Sequence, residues 1–311
     1  MELLKLNNVT KYFGDYKATN NVSFSIKKGQ ICGLIGPNGA GKTTIIRQIT
    51  NIYMPDEGEI ILFGEPIKPV HQNRIAYLPE ERGLYKKIKV IDMLVYFGKL
   101  KGLSSKDSFD KSMNWLRKLN ADDWVNKKVQ DLSKGMSQKI QFIGTILHDP
   151  EFLILDEPFS GFDPVNAEIL KDIILELKQQ GKTIILSTHV MSQVEKLCDD
   201  IILINKGQVI LEGSLVEIKQ SFGRNNLLFE FEGNINNIDI PVGLEIITNS
   251  QNRYEFKVLD KNAPNELIQN SVGKININKF VLDLPSIDEI FIETVGRSNL
   301  DEDTILEIRK N

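Results

Sequence analysis

The apolar positions of this chain follow two different spacings. Near the start they alternate: Leu4, Leu6 and then Val9 share one side, and Phe24 and Ile26 repeat the pattern after a turn, as half-buried antiparallel strands do. Residues 31–35 form a continuous apolar run instead, which suits a strand buried on both faces. A helix is expected from about Lys42 to Thr50. From about residue 84 to 147 the apolar residues take helical spacing, for example Met93, Val95, Tyr96 and Leu100, then Met113, Leu116 and Leu119. This stretch predicts a helical insert.

Three further buried-strand candidates lie at residues 152–155, 183–187 and 201–204, with an amphipathic helix at about 167–179 between the first two. The alternation predicts an α/β fold with a mainly parallel core sheet, preceded by an N-terminal antiparallel β subdomain. Asn205-Lys206-Gly207-Gln208 is expected to turn the last strand back on itself as a hairpin. Beyond Ser221 the character changes. Asn-rich turns around Asn225, Asn234, Asn236 and Asn237 separate short alternating strands at 228–231 and 254–258. The expected organisation is a main domain over 1–220, a small C-terminal α+β domain over 221–296, and a polar tail over 297–311.

Composition narrows the possibilities. With 311 residues and 41% hydrophobic content, the chain can bury one large core and one small one. Lys and Arg number 38 against 42 Asp and Glu, a net charge of −4; this removes the electrostatic footprint of a protein that coats nucleic acid, and no nucleic-acid partner is expected. The longest apolar runs fall far below the roughly 20 residues of a membrane-spanning helix. Residues 1–13 are broken by Glu2, Lys5, Asn7 and Asn8 and lack a secretory apolar region, so a cytoplasmic location is expected. Cys32 and Cys198 sit among aliphatic residues and are expected to be reduced, buried thiols.

Chemistry concentrates where strands end. After the apolar run 31–35 comes Gly36-Pro37-Asn38-Gly39-Ala40-Gly41-Lys42-Thr43. Glycines let backbone N–H groups turn toward one point and approach phosphate oxygens, and the helix that starts there adds its positive end. Lys42 can neutralise β- and γ-phosphate charge, and the Thr43 hydroxyl can ligate Mg²⁺. A carboxylate is needed nearby, because Mg²⁺ prefers oxygen ligands. Asp156 and Glu157 end the strand 152–155, at the sheet edge where open α/β sheets bind ligands. Asp156 is assigned to the metal and Glu157 to the general base that polarises the attacking water. His189, in Ser187-Thr188-His189, follows a third apolar strand and shares that edge. His71 and His148 have no matching partners and receive no role.

Leu132-Ser133-Lys134-Gly135-Met136 precedes a long helical run, so Ser133 and Gly135 stand at a second helix start that can bind an anion. A phosphate already held by the first loop has its open face elsewhere. A second positive end is therefore useful mainly when it comes from another subunit; otherwise Ser133 is a plain helix cap.

These motifs, in this order and spacing, resemble the ATP-binding cassette (ABC) family of transporter ATPases over roughly residues 1–215. The resemblance implies a P-loop NTPase fold, with Gly36 through Thr44 as the Walker A loop, residues 152–157 as the Walker B strand, residues 132–136 as the signature motif and His189 as the switch histidine. It implies ATP and Mg²⁺ as ligands, a second copy or a homologous cassette as partner, an integral-membrane permease, and a peripheral place on the cytoplasmic face of the cell membrane. Ser160-Gly161-Phe162-Asp163 becomes the loop through which two nucleotide sites communicate, and Phe13, beside Tyr12, the aromatic that stacks on adenine. The family signature usually reads Leu-Ser-Gly-Gly-Gln, and Lys134 and Met136 depart from it. Glu80, in Tyr77-Leu78-Pro79-Glu80-Glu81-Arg82, takes the place of a glutamine that the family presents to Mg²⁺ and to the membrane partner. Residues 79–85 and 285–291 resemble the bacterial sodium- or drug-export type, which carries an extra C-terminal domain. The competing class is a soluble cassette ATPase acting on ribosomes or DNA. Such proteins usually carry two cassettes or a long coiled coil, and this chain has one cassette and no sustained heptads.

Overall fold

Alternation over the first residues produces a long hairpin, β1 (Glu2–Phe13) and β2 (Tyr16–Lys27). Its alternation slips by one residue between Leu6 and Val9, and the pairing register shifts at that point. Asn8 absorbs the slip in a left-handed conformation, φ 52°. Its backbone N–H donates to Ser23 Oγ at 2.8 Å, and that hydroxyl donates to Asn8 Oδ1 at 2.9 Å. The bulge returns Val9 to the buried face with Leu4 and Leu6. The computed structural model describes residues 1–81, 83–223 and 226–296; Arg82, Arg224, Asn225 with the turn expected there, and the expected tail at 297–311 lie outside the described residues.

After the hairpin come β3 (Ile31–Ile35), α1 (Lys42–Ile49), β4 (Glu57–Leu62) and the short β5 (Glu65–Pro66). One antiparallel sheet has the order β2-β1-β4-β5. The chain continues through β6 (Ile75–Leu78) into the helical insert, α2 (Val90–Leu100), α3 (Ser105–Lys118) and α4 (Lys134–Ile146). It returns as β7 (Phe152–Asp156), α5 (Pro164–Gln179), β8 (Thr183–Ser187), α6 (Met191–Leu197), β9 (Asp200–Asn205) and β10 (Gln208–Ser214). Helix α5 starts before the expected Ala167. Asp163 accepts a hydrogen bond from the Asn166 N–H at 3.0 Å and Pro164 opens the first turn, a start signal written in the sequence as Asp-Pro.

The second sheet has the order β10-β9-β3-β8-β7-β6, parallel throughout except for the β9–β10 hairpin. Every residue of β3, β7 and β8 is buried, as their unbroken apolar runs require. Helix α1 contributes Ile45, Ile46 and Ile49 to one core shared with Leu4, Leu6 and Phe24 of the antiparallel sheet and with Leu34, Phe152 and Ile154 of the parallel one. The two sheets therefore clamp the helix that follows the glycine loop.

The compact units divide between Ser214 and Leu215, ahead of the boundary expected at 220. Helix α7 (Leu215–Ser221), with Leu215 and Ile218 buried, thus belongs to the second unit. That unit adds β11 (Asn226–Glu232), β12 (Leu244–Ser250), β13 (Arg253–Val258), α8 (Ala263–Ser271), β14 (Asn276–Asp283) and α9 (Ile287–Val295). Its antiparallel sheet, β12-β13-β11-β14, buries Phe229, Phe231 and Phe256 against Ala263 and Leu267 of α8. Ser286 and Glu289 form a capping box that starts α9. Among the described residues no helix is long and apolar enough to cross a membrane.

The central strands should dominate stability. Phe152 is fully buried at the start of β7, so Phe152→Ala should lower the unfolding free energy by about 3–5 kcal/mol; urea denaturation followed by far-UV circular dichroism measures it, and a loss within ~1 kcal/mol would contradict this packing.

Candidate functional site

Register brings the site together. Ser187 of β8 pairs with Leu34 of β3 on one side and with Asp156 of β7 on the other. Three parallel strands thus end level, and the loops that leave them share one edge. From β3 the chain enters the glycine loop. Gly36 has φ 154°, Gly39 75° and Gly41 105°, conformations that side chains resist. A Cβ at Gly36 would collide with the Ile204 carbonyl, and one at Gly41 would stand 2.7 Å from the Ala18 carbonyl oxygen. The loop is also tied from outside: Gly207, in the turn between β9 and β10, donates its N–H to Ala40 O at 2.8 Å, and Asn20 of β2 donates to Gly207 O at 2.8 Å.

Lys42 opens α1 and folds back over the loop, its amine donating to Gly36 O at 2.7 Å and to Pro37 O at 3.1 Å. Burial lowers its pKa, while the charges of Glu157, Asp156 and Glu80 act in the opposite sense. Thr43 is exposed in the first turn and Thr44 half-buried, and that turn contains no acidic residue. Asn38 and Gly39 are exposed at the loop's crest, whereas Ala40 is buried beneath it. The positive end of α1 is left for an anion.

On β7, Asp156 is buried, and that burial raises its pKa, with Glu157 and Glu80 adding to the rise. Glu157 follows in the left-handed region, φ 47°. Its N–H is fixed to Ser187 O at 2.8 Å, and its carboxylate accepts hydrogen bonds from Thr188 Oγ1 at 3.2 Å and from the His189 N–H at 3.0 Å. The ring nitrogen Nδ1 of His189 lies 2.7 Å from Glu157 Oε1. A carboxylate only accepts, so Nδ1 carries the proton in this contact. Such backbone strain, of order 1–3 kcal/mol, persists only where surrounding contacts over-determine it.

Glu80 is exposed after β6, and its charge acts on both Lys42 and Asp156. The loop that carries it is hung from α4: the Gln141 amide donates to Pro79 O at 3.3 Å and to Glu81 O at 3.2 Å. Beside this loop opens a cleft of about 290 Å³, lined by Tyr77, Leu84, Phe97, Lys101, Gln141 and His148 among others. At the other end of α4, Ser133 caps the helix by accepting from the Met136 N–H at 3.2 Å. A Cβ at Gly135 would stand 3.3 Å from the Gly161 carbonyl, so the signature segment packs on the loop after Glu157. Phe13 lies at the exposed tip of the β1–β2 hairpin, edge-on to Tyr53 with centroids 5.3 Å apart. Tyr53 in turn accepts a hydrogen bond from Arg47 of α1 at 3.2 Å.

The structure therefore gathers Lys42, Asp156, Glu157, His189 and Glu80 around the loop. Phe13 stands at a hairpin tip, and Ser133 and Gly135 stand at the start of α4. Sequence reasoning assigned no part to Thr188, though it lies between Ser187 and His189. It also missed Gln141 and Gly207, whose partners are remote in the chain. The donor set fits Mg²⁺: a hydroxyl and carboxylates supply oxygen only, and a bound cation relieves both the burial that raises Asp156 and the negative charge of Glu157 and Glu80 that adds to the rise. Among the described residues no three His, Cys, Asp or Glu side chains form a metal cluster; hydroxyl, phosphate and water oxygens would complete the shell.

Residues 19–160 match the family model described as ABC transporter, and residues 213–295 match the C-terminal domain of DrrA1-3-like ATP-binding proteins. An ABC transporter ATP-binding protein of Bacillus subtilis strain 168, YhaQ, is 43% identical over 94% of this chain and 99% of its own length. The chain belongs to the ABC transporter ATP-binding proteins. A further relative of this ABC family, the Nod factor export ATP-binding protein I of Cupriavidus metallidurans, is 35% identical over 70% of this chain and 73% of its own. Among solved ABC structures, an ATP-binding subunit of an ABC transporter superposes with TM-score 0.67 at 30% identity, covering 71% of this chain and 93% of that one. The ADP conformation of an ABC transporter cassette gives TM-score 0.62 at 28% identity, over 70% and 92%. The fold is that of the ABC ATPase cassette, and the family binds ATP and ADP. The C-terminal match accounts for the second compact unit of this ABC protein.

The cleft histidine gives a pH test. His148 places Nε2 3.1 Å from Ile75 O, and burial, aided by the charge of Lys101, pushes its pKa down to about 4. The unfolded chain takes up this proton near pH 6.5. The folded pKa is the depressed one, so this stabilisation is full above pH 6.5 and is lost as pH falls to about 4. Urea midpoints at pH 7 and pH 5 should fall less in His148→Gln than in the parent; equal falls would remove His148 from the balance.

Proposed function

We propose that this chain is the ATP-hydrolysing motor of an ABC exporter, working as a pair of cassettes beneath a separate membrane permease. The observation that carries the reading is Glu157: a carboxylate in strained backbone at the level end of β7, anchored to Thr188 and His189 and within electrostatic reach of Lys42. A general base must be fixed where a phosphate-directed water would sit, and strained residues cluster at such positions.

The roles follow from this placement. The N–H groups of residues 36–44 and the positive end of α1 bind the triphosphate. The Lys42 amine, now spent on the loop's own carbonyls, transfers to phosphate oxygen as the anion offsets the cost of its burial. Thr43, Asp156 and Glu80 would hold Mg²⁺, which when bound neutralises phosphate charge and orients it for in-line attack. Glu157 takes a proton from the attacking water. His189, with its proton fixed on Nδ1 by Glu157, orients that carboxylate toward the water. Phe13 stacks on adenine. Ser133 and Gly135, at the start of α4, serve the nucleotide of the opposing copy, so that two chains close head to tail on two ATP molecules. Gly135 packs close to the Gly161 carbonyl, which sets each signature segment against the loop that follows Glu157 in its own chain.

Transport coupling is read from the helical insert. The cleft beside the Glu80 loop is lined by Phe97 and Leu100 of α2 and by Gln141, Gly144 and Thr145 of α4 and offers the permease a contact close to the nucleotide. Export is favoured by the likeness to the Nod factor export protein and by the narrower resemblance at residues 79–85 and 285–291. The protein would then work at the cytoplasmic face of the membrane.

Two substitutions test the motor. Lys42→Ala should abolish ATP turnover, a loss of at least about 100-fold in phosphate release. Glu157→Gln should stop hydrolysis yet retain ATP and accumulate a dimer, read by size-exclusion chromatography with light scattering. A Glu157→Gln chain that stays monomeric at saturating ATP, while the parent hydrolyses normally, rules out the two-copy mechanism.

A further inference from the structure

Gln141 occupies an unusual place. It lies on α4, two turns after the Ser133 cap, and is 94% buried because its relative exposure is 6%. Its amide nitrogen reaches across to two carbonyls that flank Glu80, those of Pro79 at 3.3 Å and Glu81 at 3.2 Å. Both donors of the amide are thereby committed to one short loop. The oxygen of the same amide is buried with no hydrogen-bond partner, and the residue lines the cleft. A buried acceptor without a partner is destabilising, so an apolar residue at this position would pack at lower cost. What the amide secures is the loop.

Glu80 itself is exposed. Its charge is nonetheless felt by Lys42, Asp156 and Tyr77. A flexible glutamate on an untethered loop would spend most of its time in water and would contribute little to a cation site, since charge interactions fade over a few ångströms of solvent. One hydrogen bond on each side of Glu80 restricts its Cα, and the buried part of helix α4 supplies the fixed point.

We propose that Gln141 is a positioning residue for Glu80: by holding the Pro79 and Glu81 carbonyls it presents the Glu80 carboxylate to the cation of the nucleotide site. The assignment rests on the reading of Glu80 as a cation ligand and adds the group that makes a carboxylate effective there. Gln141 also lines the cleft, so a group entering the cleft would meet the same side chain that sets the loop.

The test is a double-mutant cycle on the full-length chain, with Gln141→Met as an apolar side chain of similar length and Glu80→Gln as the neutral partner. The binding readout is the Mg²⁺ concentration that gives half the thermal stabilisation produced by a non-hydrolysable ATP analogue. Gln141→Met should raise it at least threefold, Glu80→Gln should raise it by a similar factor, and the double variant should go no further than the larger of the two. A second readout needs no ligand: backbone amide exchange at Glu80, Glu81 and Gly83 should quicken at least fivefold in Gln141→Met and stay unchanged in Glu80→Gln. Should Gln141→Met not fold, Gln141→Asn, which keeps the amide but is too short to span both carbonyls, replaces it with the same expectations. Multiplicative effects in the double variant, or unchanged loop exchange, overturn the proposal while leaving Glu80 as a ligand. No shift in Glu80→Gln removes the ligand reading and this proposal together, whereas the motor reading then still stands or falls on Lys42→Ala and Glu157→Gln.

Discussion

The site depends on three parallel strands ending at the same level. Ser187 is paired on both sides, with Leu34 and with Asp156, and those pairings leave the glycine loop, the acidic pair and His189 at a common edge. Every residue of the three strands is buried. A slip of one residue in any of them would turn apolar side chains out of their packing and carry the chemistry away from the edge. Burial of hydrocarbon thus sets the positions of the polar groups, and the strain at Glu157 is borne by the same pairing, through its bond to the Ser187 carbonyl.

Around that edge the charges are arranged in opposition. One half-buried ammonium faces three carboxylates of graded exposure: Asp156 buried, Glu157 half-buried, Glu80 exposed. Burial drives the Lys42 pKa down and the Asp156 pKa up, so both groups are less comfortable in their charged forms than in water. An anionic ligand carrying its own cation offsets both costs at once. The carbonyls of Gly36 and Pro37 hold the ammonium against the loop.

Much of this was legible in the sequence because it is local. A continuous apolar run followed by Gly36 through Thr43 specifies strand, loop and helix with no tertiary information. The run that ends at Asp156 and Glu157 does the same. Helical spacing foretold the insert, and α2, α3 and α4 lie within its expected limits. The illegible parts are pairings between remote segments. Nothing near Gln141 announces the Pro79 and Glu81 carbonyls, and nothing near Gly207 announces Ala40. Asn8 is intermediate: the broken alternation between Leu6 and Val9 was visible, but the bulge that repairs it needs Ser23 on the neighbouring strand. The early start of α5 was in plain view as Asp163-Pro164 and is a matter of capping chemistry.

The turn between β9 and β10 has a wider consequence. Lys206 and Gly207 both take positive φ, 47° and 75°, and the turn they make is latched to Ala40 and to Asn20. A phosphate cradle is usually pictured as a lasso that tightens on its prey. Here it is fixed beforehand: the hairpin turn holds Ala40, and Asn20 of the other sheet holds the turn. Little chain entropy remains to be surrendered when a nucleotide arrives, so more of the binding energy is left for moving whatever is attached to the rest of the molecule.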